Sequence, residues 1–76
     1  MAKKITKKNP ILVQFAKKVR ARRHELGYTQ EKLAEIGDFH VNYIGGIERA
    51  TRNPSLTSIA KLATALNMEL KDLISE

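Results

Sequence analysis

The chain contains no cysteine among its 76 residues. Disulfides and thiolate metal sites are therefore excluded, and nothing in the sequence requires an oxidising compartment. No stretch approaches the ~20 apolar residues needed to span a bilayer, and the basic N-terminal run is not followed by an uninterrupted apolar signal-peptide segment. A chain this short cannot divide its apolar residues between two cores. These features predict one small cytoplasmic domain with no membrane partner.

The sequence also lacks the patterns that accompany catalysis or cofactor binding. Its two histidines, His24 and His40, are far apart, and neither forms a helical pair with another metal ligand. There is no nucleophile elbow and no phosphate-binding loop of the right spacing, because Gly45 and Gly46 fall inside a helical pattern. We expect a protein that is not an enzyme and that has no metal, no cofactor and no small-molecule ligand.

The basic residues are concentrated in the first two thirds of the chain. Residues 1–53 contain twelve Lys and Arg against five Asp and Glu, whereas residues 54–76 contain two against three. A polyanionic partner would explain this segregation, because each phosphate contact by Lys or Arg releases condensed counterions. A soluble basic domain without such a partner is the alternative that charge alone leaves open.

Residues 1–8 are polar and rich in lysine, which predicts a flexible basic tail ahead of a folded domain at residues 9–76. Asn9 followed by Pro10 is a helix start, because Asn accepts from free amides and Pro loses nothing at the first helical position. The first helix should run to about Leu26 and end at Gly27. Its apolar stripe is Ile11, Leu12, Phe15, Val19 and Leu26.

Four further helices follow from the same signals. Thr29 should cap the second, which ends at Ile36 before a Gly37-Asp38 turn, and the third runs from about His40 to Arg49. Ser55 should cap the fourth, whose apolar stripe is Leu56, Ile59, Ala63 and Leu66, with Leu62 beside it. The last runs from Glu69 to Ser75. No alternating apolar run suggests a strand, so the prediction is an all-α, compact five-helix bundle.

Residues 29–48 have the length of two short helices that cross at a tight turn so that the second protrudes. A protruding helix fits the major groove of DNA. The outward residues of the third helix should be those that the core does not use: His40, Asn42, Tyr43, Gly45, Gly46 and Arg49.

The segment TQEKLAEIGDFHVNYIGGIERATRNPSLTSIAKLATAL resembles the Cro and phage-repressor type of helix-turn-helix proteins, the XRE family. It matches the family's TQ-x-x-LA segment, its YI-x-G-IE recognition helix and its RNPSL loop, and the resemblance extends from about Ile11 to Ile74. Within the family the chain is most similar to the controller proteins of restriction-modification systems. The resemblance implies a λ-repressor-like domain that binds double-stranded DNA in the bacterial cytoplasm, associated with the nucleoid when bound, as a homodimeric transcription regulator.

The family motif assigns DNA contacts to individual positions. Asn42, Val41, His40, Gly45 and Gly46 match positions that read bases or border them, and the Asn42 amide is suited to adenine. Gln30, Tyr43, Arg49, Arg52 and Asn53 match positions that contact the DNA backbone. His40 is equally suited to capping the helix, and Tyr43 to packing on the core. The pair Arg23 and Glu48 corresponds to an internal salt bridge outside the site.

The sequence departs from the family pattern at several points. Val41 stands where controller proteins often have arginine, and Gly45 replaces a usual serine, so direct readout by these positions should be poor. Two glycines cost a helix about 2 kcal/mol relative to alanines, which calls for a compensating reason. Gly37-Asp38 replaces a usual Ala-Gly, so the turn is expected to start one residue early.

The dimer contact is expected on the last two helices, at Leu62, Leu70, Leu73 and Ile74, in the nearly neutral third of the chain. The alternative is that these residues all belong to the monomer core. A two-fold dimer would place two recognition helices about one DNA turn apart, which implies a pseudo-palindromic operator. The rival function is an antitoxin-type protein-interaction module that also binds its own promoter.

Overall fold

A computed structural model describes residues 9–75, which form five α-helices and no strand. The helices are α1 (Pro10–Glu25), α2 (Gln30–Gly37), α3 (Val41–Glu48), α4 (Leu56–Ala65) and α5 (Leu70–Ile74). The all-α five-helix prediction is therefore confirmed. The predicted basic tail, residues 1–8, lies outside the described residues.

The side chains predicted to start the helices do so. The side-chain oxygens of Asn9, Thr29 and Ser55 accept from the backbone N–H groups of Ile11, Lys32 and Ser58 respectively. Each bond satisfies an amide that has no partner inside its own helix. These local signals set the starts of α1, α2 and α4 independently of tertiary contacts.

The end of α2 differs from the prediction. The helix continues through Gly37, and the left-handed residue is Asp38, with φ 59°. Asp tolerates this region better than most residues because its short polar side chain bonds locally. The expectation of a turn starting one residue early is wrong, whereas Gly27 ends α1 as predicted, with φ 73°.

The core combines residues from all five helices. Its fully buried side chains are Val19, Leu33, Ile44, Ile47, Leu62, Leu66 and Leu73. The apolar stripes were predicted correctly in their centres and incorrectly at their starts, since Ile11 is 75% exposed and Leu56 is 67% exposed. Both lie in the first turn of a helix.

Two basic residues of α1 tie it to the second half of the chain. Arg22 donates to the backbone carbonyls of Leu66 and Asn67 at the end of α4, over 2.9 and 3.3 Å. Lys18 lies 3.5 Å from the carbonyl of Asp72 in α5. A cation is favourable at a helix C-terminus, where carbonyl groups lack helical partners. This side of α1 is therefore structural as well as solvated.

Packing requires a glycine at residue 37. Backbone conformation does not, since the φ of Gly37 is ordinary for a helix. A Cβ at this position would lie 2.7 Å from two ring carbons of Phe39. The Phe39 ring packs against the core and stacks on Tyr43, with 5.5 Å between centroids. The absence of a side chain at residue 37 thus leaves room for the Phe39 ring that stacks on Tyr43 of α3.

Two observations limit what these residues can do. No helix within residues 9–75 is long and apolar enough to cross a membrane. In the same range, no group of three or more His, Cys, Asp or Glu side chains is arranged to hold a metal ion.

We expect Gly37→Ala to destabilise the protein by about 1–3 kcal/mol, because the clash with Phe39 outweighs the gain in helix propensity. Urea unfolding followed by circular dichroism measures the change. In a Phe39→Leu background the same substitution should cost less, since the ring that it meets is gone. An equal cost in both backgrounds would show that Phe39 is not the obstacle.

Candidate nucleic-acid interface

Helix α3 is held against the rest of the domain by a buried carboxylate at its end. The Oε2 atom of Glu48 accepts from Nε of Arg23 over 2.7 Å, and its Oε1 accepts from Nη2 of Arg23 over 2.9 Å. Gln30 donates to the same Oε1 over 3.1 Å. The predicted Arg23–Glu48 pair is confirmed, and Gln30 adds α2 to it. One side chain thus joins α1, α2 and α3.

The charges of this network are stabilised by each other. Burial disfavours the charged form of Glu48 and is the largest single influence on its pKa, but the hydrogen bonds from Arg23 and Gln30 and the charge of Arg23 together lower that pKa below its ordinary value. The hydrogen bond to Glu48 raises the pKa of Arg23. Both groups therefore remain ionised at neutral pH.

The start of α3 presents polar groups to solvent. The Nδ1 atom of His40 accepts from the backbone N–H of Asn42 over 3.1 Å, so His40 is the N-cap of the helix. An imidazole that accepts at Nδ1 carries its proton on Nε2, so this ring can offer a donor to an outside ligand only through Nε2. Asn42, in the first turn, is exposed as predicted.

Two other predicted DNA-contacting residues are only partly exposed. Val41 and Tyr43 are half-buried and pack against the core. Tyr43 stacks on Phe39, and the guanidinium carbon of Arg52 lies 5.7 Å from the centroid of the Tyr43 ring. Tyr43 therefore packs its ring against the core, as one of its two predicted roles requires, and its DNA contact stays a prediction. Val41 retains at most part of its side chain for an external contact.

The two glycines of α3 lie on its outward face, as predicted, but they are buried there beneath exposed arginine side chains, so their backbone is not open to an external contact. A Cβ on Gly45 would lie 3.0 Å from Nη1 of Arg49, and a Cβ on Gly46 would lie 2.6 Å from Cγ of Arg52. Each glycine is covered by an arginine side chain that comes from a later part of the chain. Close approach of these side chains is the compensating reason for two glycines in one helix.

The loop after α3 directs Arg52 back over the helix. Ala50 adopts a left-handed conformation with φ 61°, and Thr51 donates through both its backbone N–H and its hydroxyl to the carbonyl of Gly46. Arg52 and Asn53, the predicted backbone ligands of this loop, are exposed. The sequence did not predict that arginines cover the glycines, although the Gly45-Gly46 pair was the available signal.

The predicted dimer residues separate into two groups. Leu62 and Leu73 are fully buried in the monomer core, so their assignment to a dimer contact is wrong. Both face inward because α4 packs on α2 and α5, and α5 also packs on α1. Leu70 is half-buried, and Ile74 is 52% exposed. Ile74 lines an open apolar cleft of about 420 Å³ together with Ile11, at the start of α1.

Comparison with known proteins identifies the class of the domain. A family model described as helix-turn-helix, HTH_3, matches residues 19–73, which include α2, α3 and the loop that follows. The chain belongs to this helix-turn-helix family.

Individual family members resemble the chain over most of its length. Control protein C.BamHI of Bacillus amyloliquefaciens is 46% identical over 67 residues, covering 87% of this chain and 83% of that protein. The crystal structure of the restriction-modification controller protein C.AhdI from Aeromonas hydrophila is 45% identical, with a TM-score of 0.79, covering 82% of this chain and 94% of that one. The predicted resemblance to controller proteins is therefore confirmed.

A third family member has been solved with DNA. The restriction-modification controller protein C.Esp1396I has been crystallised as a tetramer in complex with its natural 35 base-pair operator. Its chain is 28% identical to this one, with a TM-score of 0.78. The match covers 91% of this chain and 100% of that one. The helix-turn-helix of the present structure thus lies within a fold that a family member uses on an operator.

Replacing Glu48 with glutamine should destabilise the domain by about 3 kcal/mol, because the buried guanidinium of Arg23 loses its counter-charge. Equilibrium urea unfolding at pH 7 measures the loss. The matched control is Glu35→Gln, which breaks an exposed pair with Lys32 at 3.4 Å and should change stability by less than about 1 kcal/mol. Equal effects for the two variants would contradict the proposed importance of the buried network.

The acid dependence of stability provides a second readout for Glu48. Its pKa is lowered by folding, so its contribution is complete above its ordinary value of 4.5 and is lost as the pH falls through the folded value. Glu48→Gln should remove this part of the acid-induced loss. Urea unfolding of the wild type and Glu48→Gln over an acid pH series measures the difference, and an unchanged acid limb in the variant would contradict this role of Glu48.

Proposed function

We propose that this protein is a sequence-specific double-stranded DNA-binding transcription regulator of the controller type, acting as a homodimer on a pseudo-palindromic operator. The proposal is for a binding protein and assigns it no catalytic role. Its place of action would be the bacterial cytoplasm, on the nucleoid. The named relatives are control proteins, which supports this class over an antitoxin-type interaction module.

The observation that carries the proposal is the position of α3 beside a group of exposed polar and cationic side chains. Its inner residues, Ile44 and Ile47, are almost fully buried, and its opposite side carries Asn42 and Arg49. A helix anchored on one side and exposed on the other fits the major groove. The arginines of this surface would neutralise phosphates along the groove.

The roles proposed for the polar residues follow from their exposure. Asn42 lies in the first turn of α3, where recognition helices contact base edges, and its amide matches adenine N6 and N7. Arg52 and Asn53 lie in the loop beyond α3 and would contact the backbone. Gln30 uses one of its amide hydrogens on Glu48 and has a second for a phosphate at the start of α2.

Dimerisation is proposed at the end of α5. Of the predicted dimer residues, Ile74 and Leu70 remain accessible, and the cleft between Ile74 and Ile11 provides apolar surface for a second copy. Residues 54–76 carry nearly balanced charge, so two copies can approach there without strong repulsion. The more basic part of the chain then remains for DNA.

Asn42→Ala should relax sequence preference without abolishing binding, because a bidentate base contact contributes about 1–3 kcal/mol of discrimination. Fluorescence titration measures this preference when the wild type and the variant are each compared on two duplexes. One has the sequence that the wild type selects from a randomised library, and the other has that sequence shuffled. The control is Arg52→Ala, which should weaken binding to both duplexes alike and reduce the salt dependence. Equal losses on both duplexes for Asn42→Ala would remove it from base reading.

Ile74→Glu should shift the protein from dimer towards monomer, because it places a charge in the proposed apolar contact. Sedimentation equilibrium over a concentration series measures the association. Ile36→Glu is the matched control, since Ile36 is also an exposed isoleucine, 43% accessible, but lies on α2. A monomer produced by the control alone would place the dimer contact on α2 instead.

A further inference from the structure

We infer that the guanidinium of Arg49, which lies over Gly45, donates hydrogen bonds to a guanine base. It thereby takes the place of a base-contacting side chain at residue 45. This inference rests on the proposed function and specifies which group recognises the DNA. It differs from the sequence-based expectation, in which Arg49 contacts only the DNA backbone and Gly45 itself borders the bases.

The first argument is the position of the guanidinium group. Asn42, Gly45 and Arg49 follow one another at helical spacings of three and four residues, which places them along one side of α3. The Nη1 and Cζ atoms of Arg49 lie 3.0 and 3.8 Å from the Cβ that residue 45 would carry. The charged end of Arg49 therefore occupies the space of a side chain in the middle of the outward face.

The second argument is that glycine makes this position available. Oε1 of Gln30 borders the same space, 3.7 Å from the ideal Cβ, and Gln30 is held by its bond to Glu48. A Cβ on residue 45 would therefore require Arg49 to move by a few tenths of an ångström, away from the helix surface. The glycine thus allows the guanidinium to lie closer to the helix backbone than an alanine at this position would.

The third argument is the chemistry of the group. Gly45 offers no side-chain donor, and Val41 is half-buried and apolar. A guanidinium in the major groove donates two parallel hydrogen bonds to O6 and N7 of guanine, which is the commonest specific contact between protein and DNA. A lysine provides the same charge without the planar fork, so substitution by lysine weakens a bidentate base contact more than a phosphate contact, whereas alanine removes both.

The test begins with a randomised duplex library from which the wild-type protein selects its preferred sequence. Fluorescein-labelled duplexes of the selected and a shuffled sequence are then titrated with the wild type, Arg49→Lys and Arg49→Ala. We expect Arg49→Lys to retain affinity for the shuffled duplex and to lose about 10- to 100-fold of its preference for one guanine in each half-site. Replacing that guanine with 7-deazaguanine, which lacks N7, should weaken the wild type and leave Arg49→Ala unaffected.

Gly45→Ala provides the structural control. It should raise the melting temperature, since alanine favours the helix, while reducing the same guanine preference. In an Arg49→Ala background it should have no further effect on preference, because its action passes through Arg49. Additive effects of the two substitutions would overturn the inference.

Two other results would also overturn it, for different reasons. If Arg49→Lys and Arg49→Ala both keep the wild-type preference for the selected duplex, Arg49 reads no base, and the proposed function stands. If the wild type selects no sequence and binds no duplex at low salt, the proposed function fails and the inference fails with it.

Discussion

The buried ion pair between Arg23 and Glu48 is the interaction on which the rest of this structure depends. Its bidentate geometry, with both contacts below 3 Å, fixes the end of α3 relative to α1, and the bond from Gln30 fixes it relative to α2. Hydrophobic burial of Ile44 and Ile47 pulls the same helix inward but has little directional preference. The hydrogen bonds supply the direction, so the outward face of α3 has one orientation.

A second constraint comes from the aromatic contacts beneath the candidate interface. Phe39 stacks on Tyr43, and Lys61 of α4 lies 4.7 Å from the centre of the Phe39 ring. Gly37 allows Phe39 to approach closely, and Tyr43 in turn supports Arg52. This series of contacts connects the turn between α2 and α3 to the loop after α3. A change in the turn would therefore shift Arg52, which is proposed to contact DNA.

The glycines show how a local cost serves the proposed recognition surface. Each weakens α3 as an isolated helix, by about 1 kcal/mol relative to alanine. In the folded chain Gly45 lies beneath Arg49 and Gly46 beneath Arg52, so the surface is formed by long side chains laid across the helix. Arginine keeps its charge and its planar fork in such a position, which suits contact with either phosphate or base. The helix backbone is correspondingly less accessible than its sequence indicates.

The sequence by itself determined the starts of α1, α2 and α4, because the caps Asn9, Thr29 and Ser55 act through bonds within a few residues of themselves. The five-helix order and the family also followed from the sequence, since apolar periodicity, turn residues and family motifs are local patterns in it. The tertiary structure alone decided how far burial extends along each apolar stripe. Leu62 and Leu73 lie on the same helices as the exposed Leu56 and Ile74, and helical periodicity does not reveal how far neighbouring helices extend over each turn. It also decided what covers Gly45 and Gly46, because those contacts depend on the paths that Arg49 and Arg52 take after the helix ends.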